Sequence, residues 1–346
     1  MVISCLKRKK SRLRSLKNDE SLPLCRYSLL NVFMKKFVFT LVLLCAISAK
    51  GQSSSSDFVY TGAEVCLAEH TFSCRHLGKL QGVEKQSYQG MDIWKDYIVS
   101  CQNTGYVTIY KTDGNAFSKE GKSFKLASFH QNNHCNVVSF SRTFYDKKDV
   151  FPLLYVSQCQ RGRINGRKDV IYVERIANDL KSSELVQTIY FKDVHQLFGY
   201  ALQWVVDTDR NYLYGYGNTV DNTNPLNRHR IVKFRIPALD ESTDGLVTLT
   251  EDDLLENYLI EDTYAAPFNP IGQGLFIRNG QLFMPTGVGN DEHPSILYVW
   301  NLDTRSMQNV IDLRKATFGE LEDCACYRGE LFIQAQGDLF KLSFQR

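Results

Sequence analysis

Short apolar stretches rich in Val, Ile, Tyr and Phe alternate with tight polar turns along most of this chain, and one phrase recurs. It consists of a polar residue, a short apolar strand, a turn and a second apolar strand. The phrase reads Gln89-Gly90-Met91-Asp92-Ile93-Trp94, then Lys95-Asp96, then Tyr97-Ile98-Val99-Ser100. It returns as Gln273-Gly274-Leu275-Phe276-Ile277-Arg278, then Asn279-Gly280, then Gln281-Leu282-Phe283-Met284. A third copy with a changed first residue runs from Glu322-Asp323-Cys324 to Leu331-Phe332-Ile333. Strand pairs that return at roughly 40–60 residues indicate radial repetition, so the pattern predicts an all-β chain folded as a β-propeller. The repeats give five blades, with six as the alternative if residues 57–86 hold more than one closing strand.

The blades are arranged in order along the chain. The first covers about 88–130, with strands at Tyr97 and Tyr106 joined through the turn residues Asn103-Thr104-Gly105. The second, about 131–192, has four strands, beginning near Asn136, Leu153, Asp169 and Leu185. The third, about 198–265, places strands at Leu202, Tyr212 and Arg230, with a long polar loop over 218–228. It also carries the one predicted helix. Thr250 is its cap, Asp253 its capping-box partner, and Leu254, Leu255, Tyr258 and Leu259 its apolar stripe. The fourth, about 270–316, has its third strand at Ser295, and the fifth runs over 322–344. Residues 57–86 are assigned to a strand that completes the last blade.

The N-terminus changes the picture of charge and compartment. Met34-Lys35-Lys36 opens a charged segment, 37–47 is apolar, and Ala49-Lys50-Gly51 is a cleavage site, the pattern of a signal peptide over 34–51. The apolar run is too short and wrongly flanked for a membrane span, so no transmembrane segment is expected in the mature protein. Residues 1–33, rich in Lys and Arg, then read as an over-extended start, and 52–56 as a serine linker ahead of a single domain over 57–346. The protein is therefore expected to be exported, to the periplasm, the outer surface or the medium. Residues 1–51 hold 11 of the 41 basic and 2 of the 38 acidic groups, leaving 30 basic against 36 acidic, a formal net of −6. A mildly acidic mature chain gives no electrostatic footing for nucleic acid. Seven of the ten cysteines lie beyond residue 51. Cys66 and Cys74 could close a local loop, and most of the others read as small buried residues.

Aligned on the first apolar strand of each blade, one column holds Gln89, His134, Leu202, Gln273 and Glu322. In a propeller the innermost strands line the central channel, so this column should ring one channel mouth, with Asn136 and Gln203 beside it. Polar groups on inner strands also hydrogen-bond to neighbouring blades and to channel waters. Asn222 and Arg228 in the adjoining loop could hydrogen-bond a ligand's hydroxyls. Tyr200, Trp204, Tyr214, Tyr216, Phe268 and Trp300 could stack on sugars or fill the space between blades. His130 and His134-Cys135 invite a metal, but a His pair at this spacing meets on a helix rather than before a strand, so no metal and no cofactor are expected. Asp207 and Asp303 read as turn residues, and no nucleophile elbow is present.

The Gln89-Gly90 and Gln273-Gly274 phrases resemble the blade signature of the plant and bacterial type of glutaminyl cyclase, a five-bladed propeller. In that family polar channel residues bind and cyclise an N-terminal glutamine, and the resemblance carries that role to Gln89, Gln273 and Glu322. Blades two and three depart from it with His134 and Leu202, and the family's Thr-Gly-Leu-Tyr-Gly run is only echoed at Thr286-Gly287-Val288-Gly289. Three longer phrases, at 200–204, 225–230 and 315–322, resemble secreted propeller proteins of Bacteroides-type gut anaerobes, a group that implies no activity. The function expected is an exported propeller binding a glycan or peptide at the channel mouth. Two alternatives stand beside it. One is an enzyme on the same face, a cyclase or a glycan lyase or hydrolase with Glu322 and His134 as its acid–base pair. The other is a scaffold for a protein partner.

Overall fold

The structure is a computed structural model, and it describes residues 65–66, 72–118, 121–159, 162–317 and 319–344. The leader, the signal segment and the serine linker lie outside the described residues. Two strands come first, β1 (Val65–Cys66) and β2 (Phe72–Lys79). Blade one is then built in chain order from β3 (Tyr88–Trp94), β4 (Tyr97–Gln102), β5 (Tyr106–Lys111) and β6 (Lys122–Lys125). Blade two comes next with β7 (Val137–Phe140), β8 (Leu154–Ser157), β9 (Ile171–Ile176) and β10 (Ser183–Phe191). Blade three uses β11 (Leu202–Asp207), β12 (Tyr212–Asn218) and β13 (His229–Arg235). It skips β14 (Leu246–Leu249) and finishes with β15 (Glu256–Leu259). Blade four is β16 (Phe276–Arg278), β17 (Gln281–Thr286), β18 (Ile296–Asn301) and β19 (Ser306–Asp312). Blade five has only β20 (Leu321–Tyr327), β21 (Glu330–Ala335) and β22 (Asp338–Phe344) from the C-terminus.

The missing outer strand of blade five is β2, antiparallel to β22 with Phe72 opposite Phe344 and Lys79 opposite Asp338. Of the two strands described within 57–86, β2 thus closes the ring, as expected from the sequence, while β1 pairs with β19 of blade four, and the blades number five rather than six. The innermost strands β3, β7, β11, β16 and β20 neighbour one another in a closed circle.

A propeller divides its core, and this one has five apolar clusters among the described residues, one between each pair of consecutive blades. Leu154 and Val107 meet between blades one and two, and Trp204 and Ile171 between two and three. Trp300 and Tyr214 meet between three and four, Leu297 and Leu331 between four and five, and Phe332 and Ile98 between five and one. A middle strand faces a neighbouring blade on both sides, so it has no polar face and reads as a continuous apolar run. Thus β18 is buried at all of its first five positions, whereas the outer β10 alternates over its second half.

Two expectations about blade three are corrected. The capping box is real: Asp253 accepts the Thr250 backbone N–H at 2.8 Å and its hydroxyl at 3.0 Å. The helix it opens is a single 3₁₀ turn, Glu251–Asp253. Residues 256–259 then pair with β13 as the outer strand, and a ladder that completes a blade overrides a local helical pattern. The segment before it, β14, leaves blade three and runs parallel to β10 as a fifth strand of blade two. The cysteine loop is corrected too. Cys74 is a free thiol, its Sγ donating to the Ala316 carbonyl at 3.3 Å, so it makes no bridge to Cys66. Cys101, Cys135, Cys159 and Cys324 are buried core residues, as expected.

The recurrent Gln-Gly phrase has a packing cause. A Cβ on Gly90 would lie 2.7 Å from the Val138 nitrogen, and one on Gly274 would lie 2.3 Å from Asp323 Oδ1 and 2.4 Å from the Glu322 carbonyl. Each glycine marks where an inner strand crosses against the next blade's backbone. Beside that crossing Asp323 accepts three backbone N–H groups, from Met91 (2.9 Å), Leu275 (3.1 Å) and Cys324 (2.9 Å), which belong to three blades.

Gly90→Ala and Gly274→Ala should each cost about 1–3 kcal/mol in urea unfolding, because backbone cannot yield as a side chain does. Asp323→Ala should cost more, about 3 kcal/mol or above, by leaving buried donors without acceptors. A urea midpoint unchanged in all three would contradict this account of blade packing.

Candidate functional site

All five inner strands start on one face, and there a cavity of about 680 Å³ opens among them. Gln89, Asn136, Gln203, Gln273 and Glu322 line it, one from each blade. The ring therefore differs from the predicted column in two members. In blade three the channel residue is Gln203, while Leu202 turns into the core between blades two and three. In blade two Asn136 immediately precedes β7, and His134 lines the wall two residues earlier. His134 and Cys135 both have positive φ, 67° and 41°, so the chain folds back there before the strand begins. Asn222, Tyr200 and Tyr216 also line the cavity, with Lys79 and Glu320. Arg228 is not among the lining residues. Its guanidinium pairs with Asp262 at 2.5 Å and lies 3.9 Å from Glu261.

Each ring amide is held at one end by a neighbouring group. Asn136 Nδ2 donates to the Gln273 carbonyl at 3.1 Å, and Gln203 Nε2 to the Gly272 carbonyl at 3.1 Å. Gln89 Nε2 donates to Glu322 Oε2 at 3.1 Å and to the Tyr88 carbonyl at 2.7 Å. Gln273 Nε2 donates to Glu320 Oε1 at 2.6 Å. With the NH₂ ends anchored on acceptors, the orientation of the Asn136 and Gln203 amides is set. Their carbonyl oxygens, Asn136 Oδ1 and Gln203 Oε1, are buried with no partner among the described residues, and so is the Tyr216 hydroxyl. A buried acceptor without a donor costs about 1–3 kcal/mol, which a ligand or water that supplies the donor recovers.

Burial and the neighbouring Glu320 charge push the Glu322 carboxyl well above the ordinary carboxylate range. The cavity thus combines a ring of amides, one carboxyl with a raised pKa and an imidazole. That set can bind through hydrogen bonds, and its carboxyl keeps its proton to higher pH than an ordinary carboxylate does. Among the described residues no three His, Cys, Asp or Glu side chains come together as a metal site. The aromatic expectation divides. Trp204, Tyr214 and Trp300 are consumed by blade packing, Phe268 stacks on Tyr298, and Tyr200 and Tyr216 reach the cavity. Sequence reasoning missed Glu320 and Lys79 as lining residues. The former sits one residue before a blade's first strand, a position that the other repeats do not fill with acid.

No protein-family model matches the chain, and no curated protein matches it. Solved structures similar to it include a glutaminyl cyclase of Myxococcus xanthus, 11% identical over 79% of this chain and 97% of that one, with TM-score 0.43. The tail fibre of Staphylococcus aureus phage P68 is 10% identical over 80% of this chain and 53% of that one, with TM-score 0.45. A Bacteroides thetaiotaomicron protein of unknown function is 12% identical over 79% and 76% respectively, with TM-score 0.42. Likenesses this distant carry no argument about activity. No helix among the described residues is long and apolar enough to cross a membrane.

Glu322→Gln tests the raised carboxyl. A carboxyl whose folded pKa lies above its unfolded value contributes stability at low pH that is lost as pH rises through the folded pKa. Glu322→Gln should therefore match the native protein near pH 4 and be the more stable of the two at pH 8. Thermal melts across that range check it, and an equal or lower melting temperature for the variant at pH 8 would remove the buried-acid reading.

Proposed function

We propose that this propeller binds a donor-rich ligand, a glycan or a peptide, in the amide-lined cavity at the channel mouth, and that it does so after export. One observation carries the reading: Asn136 Oδ1, Gln203 Oε1 and the Tyr216 hydroxyl are buried, have no partner among the described residues and belong to residues lining one cavity. Hydroxyls of a sugar or amide N–H groups of a peptide are the donors such acceptors lack. The amides are anchored before any ligand arrives, so little side-chain freedom is lost on binding. The signal-like pattern over 34–51 supports the exported location.

A second reading has its own support. Glu322, with its raised carboxyl, lies beside Gln89 on the wall that His134 also lines, which suits an acid–base pair in an enzyme of the same face.

A thermal-shift screen of oligosaccharides and short peptides tests both. A ligand present at a hundred times its Kd adds about 2.7 kcal/mol to the folded state. The double variant Asn136→Ala, Gln203→Ala should weaken a hit by roughly a hundredfold, about 2.7 kcal/mol. A shift that survives this variant unchanged would move the site elsewhere. Glu322→Gln separates the readings: a binding protein keeps its ligand, whereas an enzyme keeps binding and loses turnover.

A further inference from the structure

The inner strands run from the amide-lined cavity to the opposite face, and three of them end around a second pocket of about 320 Å³. Its walls are Ile93, Trp94, Lys95 and Asp96 from the end of β3, Arg278 from the end of β16, and Tyr327 and Arg328 with Cys326 from the end of β20. Blades one, four and five are neighbours in the ring, so this pocket sits at the far ends of three adjacent inner strands. Its chemistry inverts that of the first cavity. Here the excess is of donors: three cationic side chains, Lys95, Arg278 and Arg328, meet on a chain whose residues beyond 51 are net acidic.

The carboxylates present pair with two of them and leave the charge of Lys95 over. Asp96 lies 3.2 Å from Arg328 and also accepts the Tyr327 hydroxyl at 2.6 Å. Asp209 lies 3.4 Å from Arg278 and also accepts the Asn279 N–H at 2.9 Å. Asp92, further along β3, has its oxygens occupied by the backbone N–H groups of Phe140 and Ile93. Lys95 has no carboxylate partner among the described residues. Its ammonium lies 5.8 Å from the centre of the Trp94 ring, and the Trp94 indole N–H is buried with no acceptor among the described residues.

The turns strengthen the point. Lys95 and Arg328 occupy left-handed turn positions, with φ of 50° and 49°. The corresponding turn of blade four has Asn279 there, at φ 51°, a residue type that tolerates this conformation well. Blades one and five instead hold a long cation at some conformational cost, and both cations reach the same pocket. We propose that this pocket is a second ligand site, on the face opposite the amide-lined cavity, and that it takes a small oxyanion, a carboxylate or a phosphate.

Trp94 gives a direct readout. Of the three tryptophans, Trp204 and Trp300 are 2% and 0% exposed in blade cores, so a ligand-dependent change in emission reports on Trp94. The experiment titrates the folded protein with inorganic phosphate and, separately, with glucuronate, while sodium chloride holds ionic strength constant. A saturable emission change is expected with at least one, and the one that responds at lower concentration identifies the oxyanion. Lys95→Asn removes the charge while suiting the turn, so it should fold normally and weaken binding by roughly tenfold. Gln203→Ala, in the other cavity, should leave the titration unchanged. Curves that do not saturate with either anion, or that are identical in Lys95→Asn, would overturn the proposal.

Discussion

The carboxylate of Asp323 is the interaction on which the ring depends. It starts in blade five, reaches Met91 in blade one and Leu275 in blade four, and also holds its own Cys324 N–H. Burial raises its carboxyl well above the usual range while the three backbone donors pull it back. A propeller must bring inner strands close without joining them into one sheet, which leaves N–H groups facing the adjacent blade. Those donors cannot stay buried and unpaired. The same device recurs around the circle in milder form. Asp92 accepts the Phe140 N–H at 2.7 Å, Ser139 the Val206 N–H at 3.0 Å, and Ser157 the Trp204 N–H at 3.1 Å. The carboxyl of Asp92 is pushed up to about 7, burial outweighing the two backbone donors that favour its charged form.

Packing and recognition therefore draw on one set of strands at different heights. Near the middle of an inner strand the side chains close the gap between blades; at its start they face the cavity. Asn136 and Gln203 show the join between the two roles, since each lines the cavity and gives its NH₂ to another blade. A site built this way is stiff because its residues are also structural, and a substitution there tests both roles together.

Much of this was legible in the sequence, for reasons that differ by element. Tyr97-Ile98-Val99 and Ile296-Leu297-Tyr298 are strands under any periodicity because a blade's middle strand is apolar on both sides. The glycines of Gln89-Gly90 and Gln273-Gly274 recur because backbone crosses there, so the phrase that revealed the blades also marks their tightest contact. The column failed in blade two because two non-glycine residues at positive φ lie just ahead of β7, and no hydrophobic pattern encodes that reversal. In blade three it fell one residue short, on a leucine that packs between blades. The helix at Thr250 failed because local signals describe only its first turn. The fate of residues 256–259 is decided by the free edge of β13, a partner that sequence spacing does not show. The excursion of β14 to blade two was invisible for the same reason.

Because each blade supplies its channel residue at one equivalent place, the chemistry of a mouth is set by very few positions. Here four amides and one carboxyl define the first mouth, and the far ends of the same inner strands, with their turns, define the opposite face. Changing Gln203 or Glu322 would redefine the first face without touching the five apolar cores. Changing Lys95 or Arg328 would redefine the second without touching the Asp323 clamp. The fold thus separates what fills its cores from what lines its cavities, but the ring amides Gln89, Asn136, Gln203 and Gln273 also tie one blade to another. At those four positions a change in the chemistry of the cavity would also have to preserve a hydrogen bond between blades.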